Sequence, residues 1–197
     1  MFSAARLSAL LVASCLFIGG CSGVPIKTMA YFANIGPRLM DADPAALSVA
    51  ILHDNRLPLS PDAAPELQIR IEPRVAGAFP AVDEKMRMQP SSLSPPRAGL
   101  PTAASGLQWR LYVLSPAQAE RVARIQADFL ALKAKAAEKN SGGSLSIGVG
   151  MAGLVPCAGA ERYDSLALES WMRMSIADGF IKIWAGRMGT LRAAAKR

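Results

Sequence analysis

Trp171-Met172-Arg173-Met174-Ser175-Ile176-Ala177-Asp178-Gly179-Phe180-Ile181-Lys182-Ile183-Trp184-Ala185 decides the fold class. Asp178-Gly179 is the sequence of a two-residue type I′ turn, and apolar residues alternate on both sides of it. With that turn at the centre, Ile176 opposes Ile181, Met174 opposes Ile183 and Met172 opposes Ala185. All six then share one face, and Arg173, Ser175, Lys182 and Trp184 share the other. Turn and hydrophobic register agree, so the stretch predicts an antiparallel hairpin with one buried side. Arg173 beside Trp184 reads as an exposed cation–π pair.

Similar alternation recurs upstream. Leu47, Val49 and Ile51 predict a strand over Ala46–Leu52, and Leu67, Ile69 and Ile71 a cleaner one over Glu66–Glu72. In the latter, Gln68, Arg70 and Glu72 face away, the half-solvated pattern of an antiparallel sheet. Glu84–Gln89 predicts a short strand with Met86 and Met88 on one face. Leu107, Trp109, Leu111 and Val113 are read as inward-facing over Leu107–Leu114. Ser144–Met151 alternates again, and Gly148 and Gly150 leave its second face bare, where something can approach closely. Gly189–Arg192 is a further candidate strand.

One strong helix is expected at residues 116–139. Ser115 is placed as its N-cap, Pro116 at the first helical position, and Gln118 closes a capping box with Ser115. Val122, Ile125, Phe129, Leu132 and Ala136 recur at three- and four-residue steps as one apolar stripe. Lys133, Lys135 and Lys139 suit the C-terminal end of the helix dipole. Asn140-Ser141-Gly142-Gly143 stops it. The fold class is therefore mainly β (α+β): an antiparallel sandwich or curved sheet of about seven strands with one amphipathic helix packed on it.

The first twenty-one residues set the location. Arg6 is the sole charge before Lys27, and Leu7–Ile18 is apolar or small. That apolar run reads as an export signal, because a spanning helix needs about 20 apolar residues. Ile18-Gly19-Gly20-Cys21 resembles the lipobox of bacterial lipoproteins. The resemblance implies cleavage before Cys21 and lipidation of it, with Ser22-Gly23 as a flexible tether. Each buried acyl methylene contributes about 0.8 kcal/mol, so several chains on one cysteine make a lasting anchor. Ser22 implies, by analogy with lipoprotein sorting, an outer-membrane destination facing the periplasm. The layout from Ala46-Leu47-Ser48-Val49-Ala50 to Gly143-Ser144-Leu145-Ser146-Ile147 is similar to that of uncharacterised proteobacterial lipoproteins, a likeness that carries no known activity.

Domain organisation follows. Residues 1–20 are the signal, 21–44 the lipidated N-terminus and tether, 45–192 one β-rich domain, and 193–197 a basic tail. Pro90, Pro95, Pro96 and Pro101 mark residues 90–105 as an exposed, mobile loop. Removing Arg6 with the signal leaves 21 basic against 15 acidic residues, a net charge of +6. The charge is diffuse, no run reaches four consecutive Lys or Arg, and nucleic acid is not expected as a partner. With Cys15 removed and Cys21 lipidated, Cys157 stands alone: either buried and inert or available for an intermolecular bond.

Chemistry-bearing constellations are sparse. His53, the sole histidine, is read as a surface or turn residue, and no base–nucleophile motif accompanies it. One histidine and one free cysteine do not make a zinc site. Asp41-Ala42-Asp43 and Asp83-Glu84 are read as solvated loop charges. Met86, Met88, Met172 and Met174 are read as core filler, with Cu(I) as the sharper alternative. No catalytic residue, metal or cofactor is assigned.

The function expected is a non-enzymatic interaction or assembly module tethered to the membrane and facing an envelope protein. Trp171, Arg173, Trp184, Gly148 and Gly150 are the candidate contact residues. A carrier of lipid, glycan fragment or Cu(I), using a pocket between the helix and the sheet, is the alternative, and an envelope hydrolase using His53 a distant third. Oligomeric state is left open.

Overall fold

The computed structural model describes residues 42–94, 98–139, 143–154 and 159–195. Cys21, Asp41, Asn140–Gly142, Cys157 and the end of the basic tail lie outside them. Eight strands and two helices are described in the order β1 (Ser48–Asp54), β2 (Glu66–Pro73), β3 (Val82–Arg87), β4 (Gln89–Pro90), β5 (Leu107–Val113), α1 (Pro116–Lys139), β6 (Gly143–Gly150), β7 (Ala167–Arg173), β8 (Ile181–Arg187) and α2 (Met188–Ala195). The mainly-β fold with a packed helix is as expected, built as two antiparallel sheets. One has the order β4-β5-β1-β7-β8, the other β3-β2-β6.

A single core joins the sheets. Val49 and Ile51 of β1, Tyr112 of β5, and Leu168 and Met172 of β7 meet Leu67, Ile69 and Ile71 of β2 and Met86 of β3. Each such side chain contributes about 1.5–3 kcal/mol by leaving water. The Tyr112 hydroxyl donates to the carbonyl of Ala63 at 2.9 Å, which satisfies it inside the core. Met86, Met88, Met172 and Met174 are all buried there.

Helix α1 begins as its sequence dictates. The Gln118 amide donates to Ser115 Oγ at 3.3 Å, and the Ser115 amide donates back to Gln118 Oε1 at 2.8 Å, a reciprocal capping box. Val122 and Ile125 are buried against the sheets, with Phe129 partly so. Gln126 lies outside the apolar stripe of the helix yet is buried; its side chain donates to the Ala42 carbonyl at 2.9 Å and ties the helix to the entry of the domain.

Several expectations are corrected. The first strand runs two residues later than its pattern suggested. β5 is inverted: Tyr112 is the buried core residue, whereas Trp109 and Leu111 face the opposite side. The segment read as an exposed loop is in part structural, since Ala98 and Leu100 are each 5% exposed and pack on Ala50 and Leu111 as a second, smaller core. Gly189–Arg192 is helical, within α2, and Met188 and Leu191 bury its inner side.

The hairpin is real but its turn is not two residues long. Met172 pairs with Ile181, and Met174 to Phe180 form the connection. Gly179 takes a left-handed φ of +67° at the end of that loop. Ile176, expected inside, is 74% exposed at the tip. A register shift between Ser170 and Trp171 leaves Ile183 as an extra residue on β8, and beyond it the alternation reverses. Trp184 is thereby turned onto the face of the main core.

Candidate interaction site

Trp171 and Arg173 lie together on the outer face of the five-stranded sheet, where β1, β5 and β7 run side by side. Trp171 meets Trp109 edge-on, with ring centroids 5.6 Å apart. Its indole N–H donates to Glu169 Oε2 at 2.9 Å, and Lys182 donates to Glu169 Oε1 at 2.8 Å while sitting 5.1 Å above the Trp171 ring. Arg173 donates to the Ala98 carbonyl at 3.1 Å and to Ser48 Oγ at 3.2 Å, and stacks 4.9 Å from the Phe180 ring. The Trp109 indole N–H donates to the Pro101 carbonyl at 2.8 Å. These side chains clamp residues 98–101 onto the sheet, so much of their bonding capacity is spent inside the chain.

Trp184 is not beside Arg173. It packs over Gly186, two residues along the same strand: a Cβ placed on Gly186 would stand 2.5 Å from the Trp184 ring. Glycine is required there by the close approach of the indole. The cation–π partners are Phe180 for Arg173 and Trp171 for Lys182.

Gly148 and Gly150 lie on the outer face of β6, opposite Gln68 and Glu66 of β2. Part of the approach their bare face allows comes from within the sheet. A Cβ on Gly150 would meet Gln68 Nε2 at 2.6 Å, whereas one on Gly148 finds its nearest neighbour, Gln68 Oε1, at 4.0 Å. The other margin of β6 is open: among the described residues, β6 pairs with β2 alone.

The four edges of the two described sheets differ in their protection. β3 carries Asp83, Glu84, Lys85 and Arg87, and Arg121 of α1 pairs with Glu84 across it. β4 is two residues long and contains Pro90, and the stretch of β5 left beyond it carries Arg110, which donates to the Leu59 and Ser60 carbonyls. β8 has its bulge, Lys182 and Arg187. β6 reads Gly143-Ser144-Leu145-Ser146-Ile147-Gly148-Val149-Gly150, with no charge, proline or bulge across eight residues. Short edges, charges, prolines and bulges are the devices that keep edges from pairing, and β6 has none of them. A charge-free run between charged segments is a signal visible in the sequence, once its place at an edge is known.

His53 is buried, not a surface residue, at 0% exposure on the core face of β1. Its Nδ1 lies 2.9 Å from the Asp54 carbonyl, and Nε2 has no partner among the described residues. Burial holds its pKa below the ordinary value, and the cationic Arg110 pushes the same way. Ser170, two positions along β7 from Leu168, the cross-strand partner of His53, is equally buried, and its hydroxyl has no partner among the described residues. Hydrogen bonds from Arg56 hold the neighbouring Asp54 carboxyl down at about 2. Among the described residues, no three histidine, cysteine or acidic side chains gather in a metal-binding group. No described helix is long and apolar enough to cross a membrane.

Two concavities accompany these elements. A cleft of about 340 Å³ lies between α1 and β3, floored by Ile71, Val82, Ile125 and Phe129. A groove of about 420 Å³ runs past Trp109, Pro61, Pro90 and Leu93.

No protein-family model, curated protein or solved structure matches the chain.

Proposed function

We propose that this chain is a lipid-tethered envelope protein whose β-rich domain is a non-enzymatic assembly module, docking its partner by strand addition along β6. The observation that carries the reading is the uncharged edge of β6, unpaired among the described residues, in a domain whose other described edges are protected. Main-chain hydrogen bonds to such an edge supply affinity, and alternate side chains supply selectivity. The lipobox-like Ile18-Gly19-Gly20-Cys21 supports anchorage at the membrane, with the outer membrane facing the periplasm as the destination. Trp171 and Arg173 drop out of the proposed contact surface because they hold residues 98–101, and Trp184 because it faces the core.

A photo-crosslinking residue at Ser146 of the full chain, expressed in its envelope, tests this. Discrete adducts at Ser146, reduced in a Cys21→Ala chain and missing when the probe sits at Arg70 on central strand β2, are the expected result. Absence of any adduct at Ser146 overturns the docking reading.

The cleft between α1 and β3 favours one second reading, a carrier for a lipid or glycan fragment. Its apolar floor suits an acyl chain, and charged Asp83, Arg124 and Asp128 rim it. A small molecule retained in native mass spectrometry, and lost in Phe129→Glu, would move that reading ahead.

A further inference from the structure

Resting on the reading that β6 is a docking edge, we infer that its partner strand is β6 of a second copy of this chain, paired antiparallel about a two-fold axis through Ile147. The argument is self-complementarity. In that register Ile147 faces Ile147 of the second copy, and Leu145 faces its Val149. On the outer face Ser144 meets Gly150 and Ser146 meets Gly148 of the second copy. Every apolar residue thus opposes an apolar one, and every serine opposes a glycine.

Parity is preserved as well. Because the register is symmetric about a residue, inner faces continue into inner faces and outer into outer, where a slip of one residue would reverse them. Leu145, Ile147 and Val149 pack against the core yet remain only partly buried, so a neighbouring strand would cover the area they still expose. The result is one continuous sheet in the order β3-β2-β6-β6-β2-β3, within the size at which open sheets are stable. An uncharged strand also meets its own copy without like-charge repulsion, which a strand such as β3 would not. The contact is isologous and closes on itself, giving a dimer rather than a fibre.

The test is sedimentation of the full, detergent-solubilised chain, compared with Ser146→Glu/Gly148→Glu and Ser146→Lys/Gly148→Lys variants. Gly148 has room for a side chain, and matched circular-dichroism melts establish that each variant folds. Wild type is expected to be dimeric. Each charged variant places like charges opposite each other twice, weakening its own dimer roughly thirtyfold. Mixing the two restores pairing as a heterodimer. A monomeric wild type, a dimer unaffected by the Glu pair, or a failure of the mixture to re-pair overturns the inference. If wild type is monomeric while Ser146 still crosslinks to a different protein, self-pairing falls and the docking edge stands. If it is monomeric and Ser146 forms no adduct, both fall.

Discussion

The outer faces of the two sheets obey opposite rules. On the three-stranded sheet, β2 alternates buried Leu67, Ile69 and Ile71 with Gln68, Arg70 and Glu72 at or near solvent. On the five-stranded sheet, β1 is buried from Ser48 to Ile51 on both sides, because residues 98–101 cover its far face. A strand wet on one side announces its direction through polarity. A strand dry on both sides has lost the polar half of the pattern, and its period no longer says which side is in.

That contrast predicts the largest difference. Leu111→Ala, on the covered outer face, should cost about 2–4 kcal/mol through lost burial and the cavity left beneath Leu100. Arg70→Ala, on the open outer face, should stay within about 0.5 kcal/mol, since Arg70 is exposed and its ion pair with Glu72 is a surface one. Urea unfolding of both checks the pair. If Leu111→Ala is as mild as Arg70→Ala, the second core is not holding the sheet.

The same contrast explains what could be read in advance. β2, the capping box of α1 and the alternation of β6 were legible because each is a local pattern with one solvated side. In β5, Leu107, Trp109, Leu111 and Val113 read as the core face, but they lie on the opposite side, where Trp109 and Leu111 pack with Ala98 and Leu100. Nothing in a proline-rich run states that Ala98 and Leu100 will dock elsewhere. The hairpin failed for a different reason. Asp178-Gly179 signals a tight turn, but the observed connection runs from Met174 to Phe180 and Ile183 is an extra residue on β8, neither of which is a local pattern. In α2 the three-residue spacing of Met188 and Leu191 was the available sign of helix. For the candidate site, the absence of charge in β6 could be seen in the sequence, but not its position at an edge.

Glycines sharpen the comparison at the next level. Gly186→Ala on the five-stranded sheet must displace the Trp184 ring from the core, and should lower stability by about 1–3 kcal/mol. Gly150→Ala on the three-stranded sheet clashes only with the end of the flexible Gln68 side chain, which can swing into water, and makes an ordinary contact with Glu66, so about 0.5 kcal/mol or less is expected. Thermal melts rank the two. Equal losses would mean that Gln68 is as firmly held as Trp184.

A third test asks whether the cover of the five-stranded sheet is fastened or merely adjacent. Trp109→Phe keeps most of the aromatic contact with Trp171 but removes the donor to the Pro101 carbonyl. A loss of about 1 kcal/mol is expected, with faster proteolysis within residues 98–105. Unchanged proteolysis would assign the covering to apolar contact alone.

The smallest effect concerns the sides of β1 and is read through pH. His53 lies on the main-core side, and burial depresses its folded pKa below the usual 6.5, so the unfolded chain takes up a proton more readily. The stabilising contribution is therefore complete above about pH 6.5 and is lost as pH falls below it. From pH 7.5 to 6.0 the loss from this one group is at most about 0.8 kcal/mol, because the unfolded imidazole is then only partly charged. Asp54, held at about 2 by Arg56, does not titrate in that window and leaves the slope to the imidazole. Comparing melts at the two pH values in wild type and His53→Gln isolates it: the variant begins less stable but loses less on acidification. If both fall in parallel, the folded chain admits the proton as easily as the unfolded one, and the core side of β1 is wetter than its outer side.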